Sequence, residues 1–441
     1  MLKIDLYQIS MALSHIQNNT HNTQTTCESF FRKLPKNRNF LVLSGINKAI
    51  KIISNMEFTD DEINFLKSHP YFNNISDKTF KILRQFKFSG DILTAPEGTI
   101  VFPNVPFFQI TGSILDNLLT ETIFLSIVNH STSISSKAIR LVKSAGKIPV
   151  VELGTRRTHP ESAIDTSRAS YIAGCLGTSN IEASFKFGIP SFGTMSHLQV
   201  MFYRNEEDSF KYYMSIYKDG TTILVDTYNI INGIKRACQI AKDSPKTLQA
   251  IRIDSELFDN NEPTGICRKA RLLLNSLGFF HTKIVVSDDL NEYKIEKLIK
   301  AKEPIDIFGV GTELVTSKDA PALSGVYKLV DVDGRPVAKN SSGKVSLPGK
   351  HKIGRKYLHY GTKTFIDTVR MATEKLEKEE SSLLVPGDSV LLESLESIRK
   401  RTIIELSSFK YNQVLNIGVI GISRHSRKLQ ELIGDFNDKK I

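Results

Sequence analysis

No stretch of this 441-residue chain is apolar for long enough to cross a membrane. The most hydrophobic helical candidate, 114–142, is interrupted by Asp116, Glu121, Lys137 and Arg140, which sets a membrane role aside. Cysteine is scarce. Cys27, Cys175, Cys238 and Cys267 lie far apart without metal-ligand spacing, so reduced thiols are expected rather than a disulfide framework or a zinc site. No signal-peptide core follows Met1-Leu-Lys-Ile-Asp5, and the expected compartment is the cytoplasm. Helix-turn-helix, zinc-finger and RNP patterns are also absent, which argues against nucleic acid as a partner.

What remains has the composition of a soluble globular protein, 40% hydrophobic and 24% charged, long enough for two or three domains. The net charge of +11 is first a lysine-rich surface. Because the lysines are dispersed, the functional partner that fits this charge is a small phosphorylated molecule.

The informative stretch is 148–203. Ile148 to Leu153 is a short β-branched run suited to a strand buried on both faces, and Arg156 and Arg157 follow at its carboxyl end. A helix is predicted over 161–173. Ser179-Asn-Ile-Glu182 then fits the S-x-x-E capping box of a second helix, with Ser179 as the cap. From Pro149 onward strands and helices alternate, with strand ends near Leu153, Phe192, Asp226, Asp254, Ser287 and Gly309. Regular βα units of this kind favour a parallel sheet with right-handed crossovers. Each strand ends in polar residues: the two arginines, His197, Asp226 with Tyr228, Arg252 with Asp254, Ser287 with Asp288, and Gly309 to Thr312. In a βα barrel those ends form one face, the face that carries active sites.

The pieces E-x-G-T-R-R at Glu152 to Arg157, G-T-S-N at Gly177 to Asn180 and G-T-M-S-H at Gly193 to His197 stand in a characteristic order. With them the chain resembles the nicotinate phosphoribosyltransferase family, among the type II phosphoribosyltransferases. Further matching pieces are Asp5-Leu-Tyr-Gln-Ile-Ser-Met11, Phe30 to Phe40 with Asn39 where glycine is usual, Arg252-Ile-Asp-Ser255, and the stretch 339–355. The resemblance covers nearly the whole chain. It departs at Glu256 and Leu257, which stand for the glycine and aspartate of R-x-D-S-G-D, and at Asp288, where relatives have glycine or asparagine nearby.

The expected fold is α/β: a partial or irregular βα barrel, with a second, mainly β domain built from N- and C-terminal segments. Three segments are read: an N-terminal α+β domain at 1–112, the catalytic barrel at 113–325, and 326–441, whose β part packs with the N-terminal domain before a helical tail over 389–409.

Phosphoribosyl transfer breaks the bond between ribose C1 and pyrophosphate through a cation-like sugar, so positioning and charge matter more than a strong base. Gly309-Val-Gly-Thr312 follows a strand, and the backbone at Gly309, Gly311 and Thr312 is a candidate cradle for the ribose 5-phosphate. Arg156 is the leading candidate for an anion or ring contact, with Arg157 beside it, because a guanidinium fork holds carboxylate or phosphate bidentately. Arg252 can face an anion, and Asp254 a ribose hydroxyl or a water on Mg²⁺.

The resemblance implies more. His197 matches the histidine that ATP phosphorylates, although Leu198 follows it where some relatives carry serine. Tyr7 matches a tyrosine that stacks on the pyridine ring from the neighbouring subunit, which implies a homodimer. Ser179 stands where relatives specific for the amide carry aspartate, and its hydroxyl suits a carboxylate substrate. Mg²⁺, ATP, nicotinate and phosphoribosyl pyrophosphate are the implied ligands, and NAD synthesis the implied pathway. The alternatives are the nicotinamide or quinolinate enzyme, or a non-catalytic phosphometabolite-binding protein on the same fold. Val285-Val-Ser-Asp-Asp289 imitates half of another phosphoribosyltransferase signature, but no T-G-G-T loop follows, and that class is rejected.

Overall fold

The computed structural model describes all residues except 218–219, 244–246, 340–345, 361, 408–410, 414–415, 418 and 439–441. Residues 340–345 of the motif stretch 339–355 therefore lie outside the described residues, as does Phe409 at the end of the expected tail helix.

Two compact units divide the chain, one of residues 137–321 and one of residues 1–136 with 322–441. The first division falls inside the long helix Ile114–Ala145 and not ahead of it at 112. The unit containing the N-terminus is also the larger of the two. A 32-residue helix is itself a continuous connector, so loop-like punctuation in the sequence does not mark this boundary.

In the unit formed by both chain ends, an antiparallel sheet interleaves early and late segments. Its order is Arg335–Pro336, Gly325–Val332, Gln24–Phe31, Phe108–Ser113, Asp91–Thr94 and Val385–Pro386. The turn joining the two strands beside Val332 uses Asp333 and Gly334, both left-handed, as a tight hairpin requires. Phe31, Phe107, Phe108 and Phe124 pack as a stacked aromatic core. A second sheet places His351–Tyr360 beside Thr362–Met371. Between them Arg355 and Asp367 form a buried bidentate pair, both bonds 2.7 Å. The expected single tail helix is two, Gly387–Leu391 and Leu395–Ser407.

In the other unit six parallel strands run in the order Gly177–Thr178, Val150–Glu152, Ile307–Val310, Lys283–Val286, Leu248–Ile253, Thr221–Leu224. The first strand in sequence pairs with the last, and every other neighbour is consecutive. That is the order of a barrel opened at one place; a doubly wound sheet would reverse direction in its middle. The opening lies between Ser191, which makes a lone parallel bridge to Thr178, and the strand at Thr221. Across it the Thr194 hydroxyl donates to the Thr222 carbonyl at 2.7 Å. The curl shows in one small cavity of about 70 Å³, lined by Val151, Thr222, Arg252, Val285 and Ile307, one residue from each of five strands. Alternate residues such as Ile223, Ile251, Ile284 and Phe308 are fully buried under the surrounding helices. The fold is thus α/β, a partial βα barrel with a separate mainly β region.

The end of the long helix is tied to this barrel by buried charges. Lys137, 1% exposed, places its ammonium 2.6 Å from Glu292, 3.1 Å from Asp319 and 3.4 Å from Glu313, while Arg140 Nε lies 2.9 Å from Glu292. Removing Glu292 alone would leave buried cations under-compensated, which is why such groups come as a set.

Candidate active site

The carboxyl ends of the parallel strands surround a cleft of about 210 Å³ lined by Arg156, Arg157, Arg252, Asp254, Ser287, Asp288, Asp289, Gly309, Gly311 and Thr312. Seven of the ten residues singled out from the sequence meet there.

The strand Val150–Glu152 delivers the two arginines through a single 3₁₀ turn, Thr155–Arg157, and both side chains are exposed. The turn is set by buried Glu152, whose carboxylate accepts from Gly154 N–H and from the hydroxyls of Ser167 and Thr178. Glu152 thereby acts in the interior, as the organiser of the turn that presents the cations. Gly154 must lack a side chain, since a Cβ there would collide with Val315. Gly309 is likewise fixed by a close approach, to Leu153.

Arg252 and Asp254 leave the same face of their strand at i and i+2. Their geometry turns on Ser287, which the sequence suggests as a strand end and part of a phosphate loop with Asp288 and Asp289. Its hydroxyl accepts from Arg252 Nε at 2.8 Å and donates to Asp254 Oδ1 at 2.6 Å. Arg252 Nη2 lies 2.9 Å from the same carboxylate oxygen. Asp226, largely buried, completes the support: its Oδ2 accepts from Asp254 N–H at 2.8 Å and from the Ser255 hydroxyl at 2.7 Å. Ser287 follows directly on its strand and Asp226 stands two residues beyond its own, which is the signal that could have promoted them.

His197 begins the helix His197–Phe202 beyond the cleft lining. Its Nδ1 lies 3.1 Å from the Thr227 hydroxyl and its Nε2 3.9 Å from Asp254 Oδ2, with the side chain 43% exposed. Asp254 therefore stands between Arg252 and His197.

Ser179 is not the helix cap expected from the sequence. Asn180 caps Ile181–Phe187, its Oδ1 accepting from Ala183 N–H at 2.8 Å. Ser179 N–H donates to the Glu152 carbonyl at 2.8 Å, and its hydroxyl lies 3.5 Å from that of Thr155. The parallel pairing of Gly177–Thr178 with Val151 and Glu152 holds the chain extended for one residue beyond the position the capping box assigned. The side chain is thus free of a capping duty and faces the turn that carries Arg156. Tyr7 belongs to the other unit, on the helix Leu6–Gln17, with its ring half exposed and its hydroxyl 3.4 Å from Glu121.

The departures from the motif are linked in space. Asp288 Oδ2 accepts from Leu257 N–H at 3.4 Å, and the Leu257 side chain is buried. Burial, reinforced by Asp289 and Asp254 and opposed by the Leu257 N–H and Lys294, holds the Asp288 carboxyl above its ordinary range. Glu256 is left-handed, φ +59°, at the position where the motif has glycine. An L residue there costs roughly 1–2 kcal/mol, partly offset by the ordering entropy a glycine would lose, about 0.5–1 kcal/mol. Glu256 is exposed and its side chain makes no bond that a glycine would forfeit. Glu256→Gly is therefore expected to raise stability by about 0.5–1 kcal/mol, read as a higher urea midpoint at unchanged slope. A lower midpoint would show that the left-handed conformation is not the strained one.

Among the described residues no group of three His, Cys, Asp or Glu side chains is placed to hold a metal ion. No helix among them is long and apolar enough to cross a membrane. All four cysteines are buried, and none is in a disulfide.

Comparison with known proteins agrees with this geometry. Residues 2–129 match the family model of the nicotinate phosphoribosyltransferase N-terminal domain, and residues 148–372 that of the nicotinate phosphoribosyltransferase family. A nicotinate phosphoribosyltransferase of Mycobacterium tuberculosis is 38% identical over 371 residues, covering 82% of this chain and 80% of the relative. That of Bacillus subtilis is 36% identical over 362 residues, covering 80% and 72%. The crystal structure of human nicotinic acid phosphoribosyltransferase superposes with a TM-score of 0.83 at 22% identity, covering 98% of this chain and 99% of that one, which establishes a common fold. On the strength of its sequence relatives and both family matches, this chain belongs to the nicotinate phosphoribosyltransferase family.

Proposed function

We infer that the protein transfers the phosphoribosyl group of 5-phosphoribosyl 1-pyrophosphate to nicotinate, giving nicotinate mononucleotide and pyrophosphate for NAD synthesis. The observation that carries this reading is the convergence of Arg156, Arg157 and Arg252 on one cleft at the strand ends of a family member. Three guanidinium groups suit a substrate bearing several phosphates. The backbone at Gly309, Gly311 and Thr312 holds the 5-phosphate, and Arg156 with Arg157 meets the carboxylate or the leaving pyrophosphate. The pyridine nitrogen already carries its lone pair, so no side chain need remove a proton from it. Asp254, oriented by Ser287 and Arg252, faces a ribose hydroxyl and stabilises the positive charge that grows at C1.

Mg²⁺ fits this site only as the cation of the pyrophosphate substrate. Asp254 Oδ1 is engaged by Ser287 and Arg252, leaving Oδ2 to meet a water on the metal. ATP serves as co-substrate through His197: the γ-phosphoryl passes to the imidazole and ADP leaves, an activation by covalent catalysis. The exposure of the His197 ring supports this role.

The active unit is a homodimer in which Tyr7 of one subunit closes the pyridine pocket of the other. The half-exposed Tyr7 ring supports it, as do the exposed apolar residues Ile181, Phe185, Leu198, Met201 and Phe202.

Assaying pyrophosphate release with nicotinate against nicotinamide, each with and without ATP, tests the reading. Turnover with nicotinate, stimulated by ATP, is expected; turnover with nicotinamide alone would overturn it. His197→Asn is expected to abolish ATP hydrolysis and ATP stimulation while leaving a slow basal transfer, because phosphorylation assists the chemistry without performing it. A variant still fully stimulated by ATP would remove His197 from that role.

A further inference from the structure

The three guanidinium groups of the cleft, on Arg156, Arg157 and Arg252, are matched in its lining by three carboxylates, on Asp254, Asp288 and Asp289. The side chains alone then give no net attraction to a molecule that carries several phosphates. A further cation stands directly behind the loop that bears two of these acids. Lys294 lies in the first turn of the helix Glu292–Lys300, where Asn291 Oδ1 accepts its N–H at 2.9 Å. Side chains lean toward the start of their helix, and the Lys294 ammonium accordingly reaches back to 3.4 Å from the Asp288 carbonyl. The Phe258 ring also holds it, with the centroid 5.2 Å from Nζ.

Phe258 belongs to the short hairpin 258–263, which begins beside Leu257, and the Leu257 N–H meets the Asp288 carboxylate. Both departures from the motif, the acid at Asp288 and the altered chain after Ser255, therefore converge on this lysine. Lys297 and Lys300 of the same helix are paired with Glu262 and Glu296, whereas Lys294 is in no ion pair among the described residues. A cation in the first turn also runs against the helix dipole, which favours anions there. What it faces instead is Asp288: burial pushes that carboxyl up, and the Leu257 N–H and Lys294 draw it back. We propose that Lys294 is a fourth cation of the phosphate site, which from behind the lining offsets the charge of Asp288 and tips the balanced cleft toward a polyphosphorylated substrate. This role rests on the reaction proposed above for the identity of that substrate, phosphoribosyl pyrophosphate.

Calorimetric titration of the full-length protein with phosphoribosyl pyrophosphate and Mg²⁺ reads this role without turnover. Lys294→Met is expected to raise Kd roughly fivefold or more at about 50 mM salt, and less than about twofold at about 1 M, where exposed charges act over only about 3 Å. Asp288→Asn, which removes the opposing charge, is expected to lower Kd. Because charges acting through space add, the double variant should return to within about twofold of the parent. Lys294→Arg should bind as the parent does, since it keeps the charge. Thermal melts check each variant, and Lys294→Gln takes the place of the methionine variant should that fail to fold. A Kd for Lys294→Met within about twofold of the parent at low salt would overturn the proposal. So would a double variant no tighter than Lys294→Met alone, the mark of a lysine that only braces the loop, or a parent that binds no phosphoribosyl pyrophosphate. A parent that binds it yet does not turn over nicotinate would instead overturn the reaction and leave the role of Lys294 standing.

Discussion

Replacing Arg252 by methionine is expected to lower kcat/KM for phosphoribosyl pyrophosphate by about 10²–10³-fold, the loss typical of removing one charge-stabilising donor from a water-poor site, about 2.7–4 kcal/mol. The guanidinium meets two groups at once, Ser287 Oγ at 2.8 Å and Asp254 Oδ1 at 2.9 Å, and lines the cleft between them. Its loss removes a cation from the phosphate site and releases Asp254 from one of its two restraints. Lysine should not rescue it. A single ammonium is a point charge and cannot span both partners as the planar fork does. Arg252→Lys is thus expected within tenfold of Arg252→Met, with thermal melts showing both variants folded. Retention of more than a tenth of the parent kcat/KM in the methionine variant would mean that Arg252 serves structure and not substrate.

Ser179→Asp is expected to reverse the preference between acid and amide. Nicotinate brings a carboxylate; nicotinamide brings N–H donors that an aspartate can accept. Two like charges roughly 4 Å apart at an effective dielectric near 20 repel by about 4 kcal/mol, an upper bound before the site relaxes. Because Asn180 supplies the cap of the following helix, the substitution leaves the capping bond in place, and a helix-stability effect cannot masquerade as specificity. The Ser179 hydroxyl is instead directed toward Thr155, in the turn that carries Arg156 and Arg157. A large fall in kcat/KM for nicotinate should accompany a relative gain for nicotinamide. A ratio that stays within about twofold, or under ~0.5 kcal/mol, would rule Ser179 out as the discriminator.

The residue types at strand ends were readable from the chain alone, for a local reason. An apolar run of four to six residues ended by arginine, aspartate or glycine carries its meaning within a few positions, as at Ile148 to Arg157 and Leu248 to Asp254. The long helix from Ile114 was legible for the same reason.

Only the tertiary structure decided the rest. That Val150–Glu152 pairs with Ile307–Val310, and so curls the sheet, depends on hydrogen bonds between residues 158 positions apart, such as Val150 and Phe308, which no local pattern encodes. Ser179 and Asn180 are equally good capping residues in isolation. The choice between them was made by the pairing of Gly177 and Thr178 to the neighbouring strand, which delays the helix by one residue. Ser287 became the hub joining Arg252 to Asp254 because parallel register sets Val286 beside Ile253 and thereby brings the two strand ends together. The strain at Glu256 is likewise a property of the folded backbone: its residue type is ordinary, and only the turn into which Leu257 and Asp288 draw it makes the conformation left-handed.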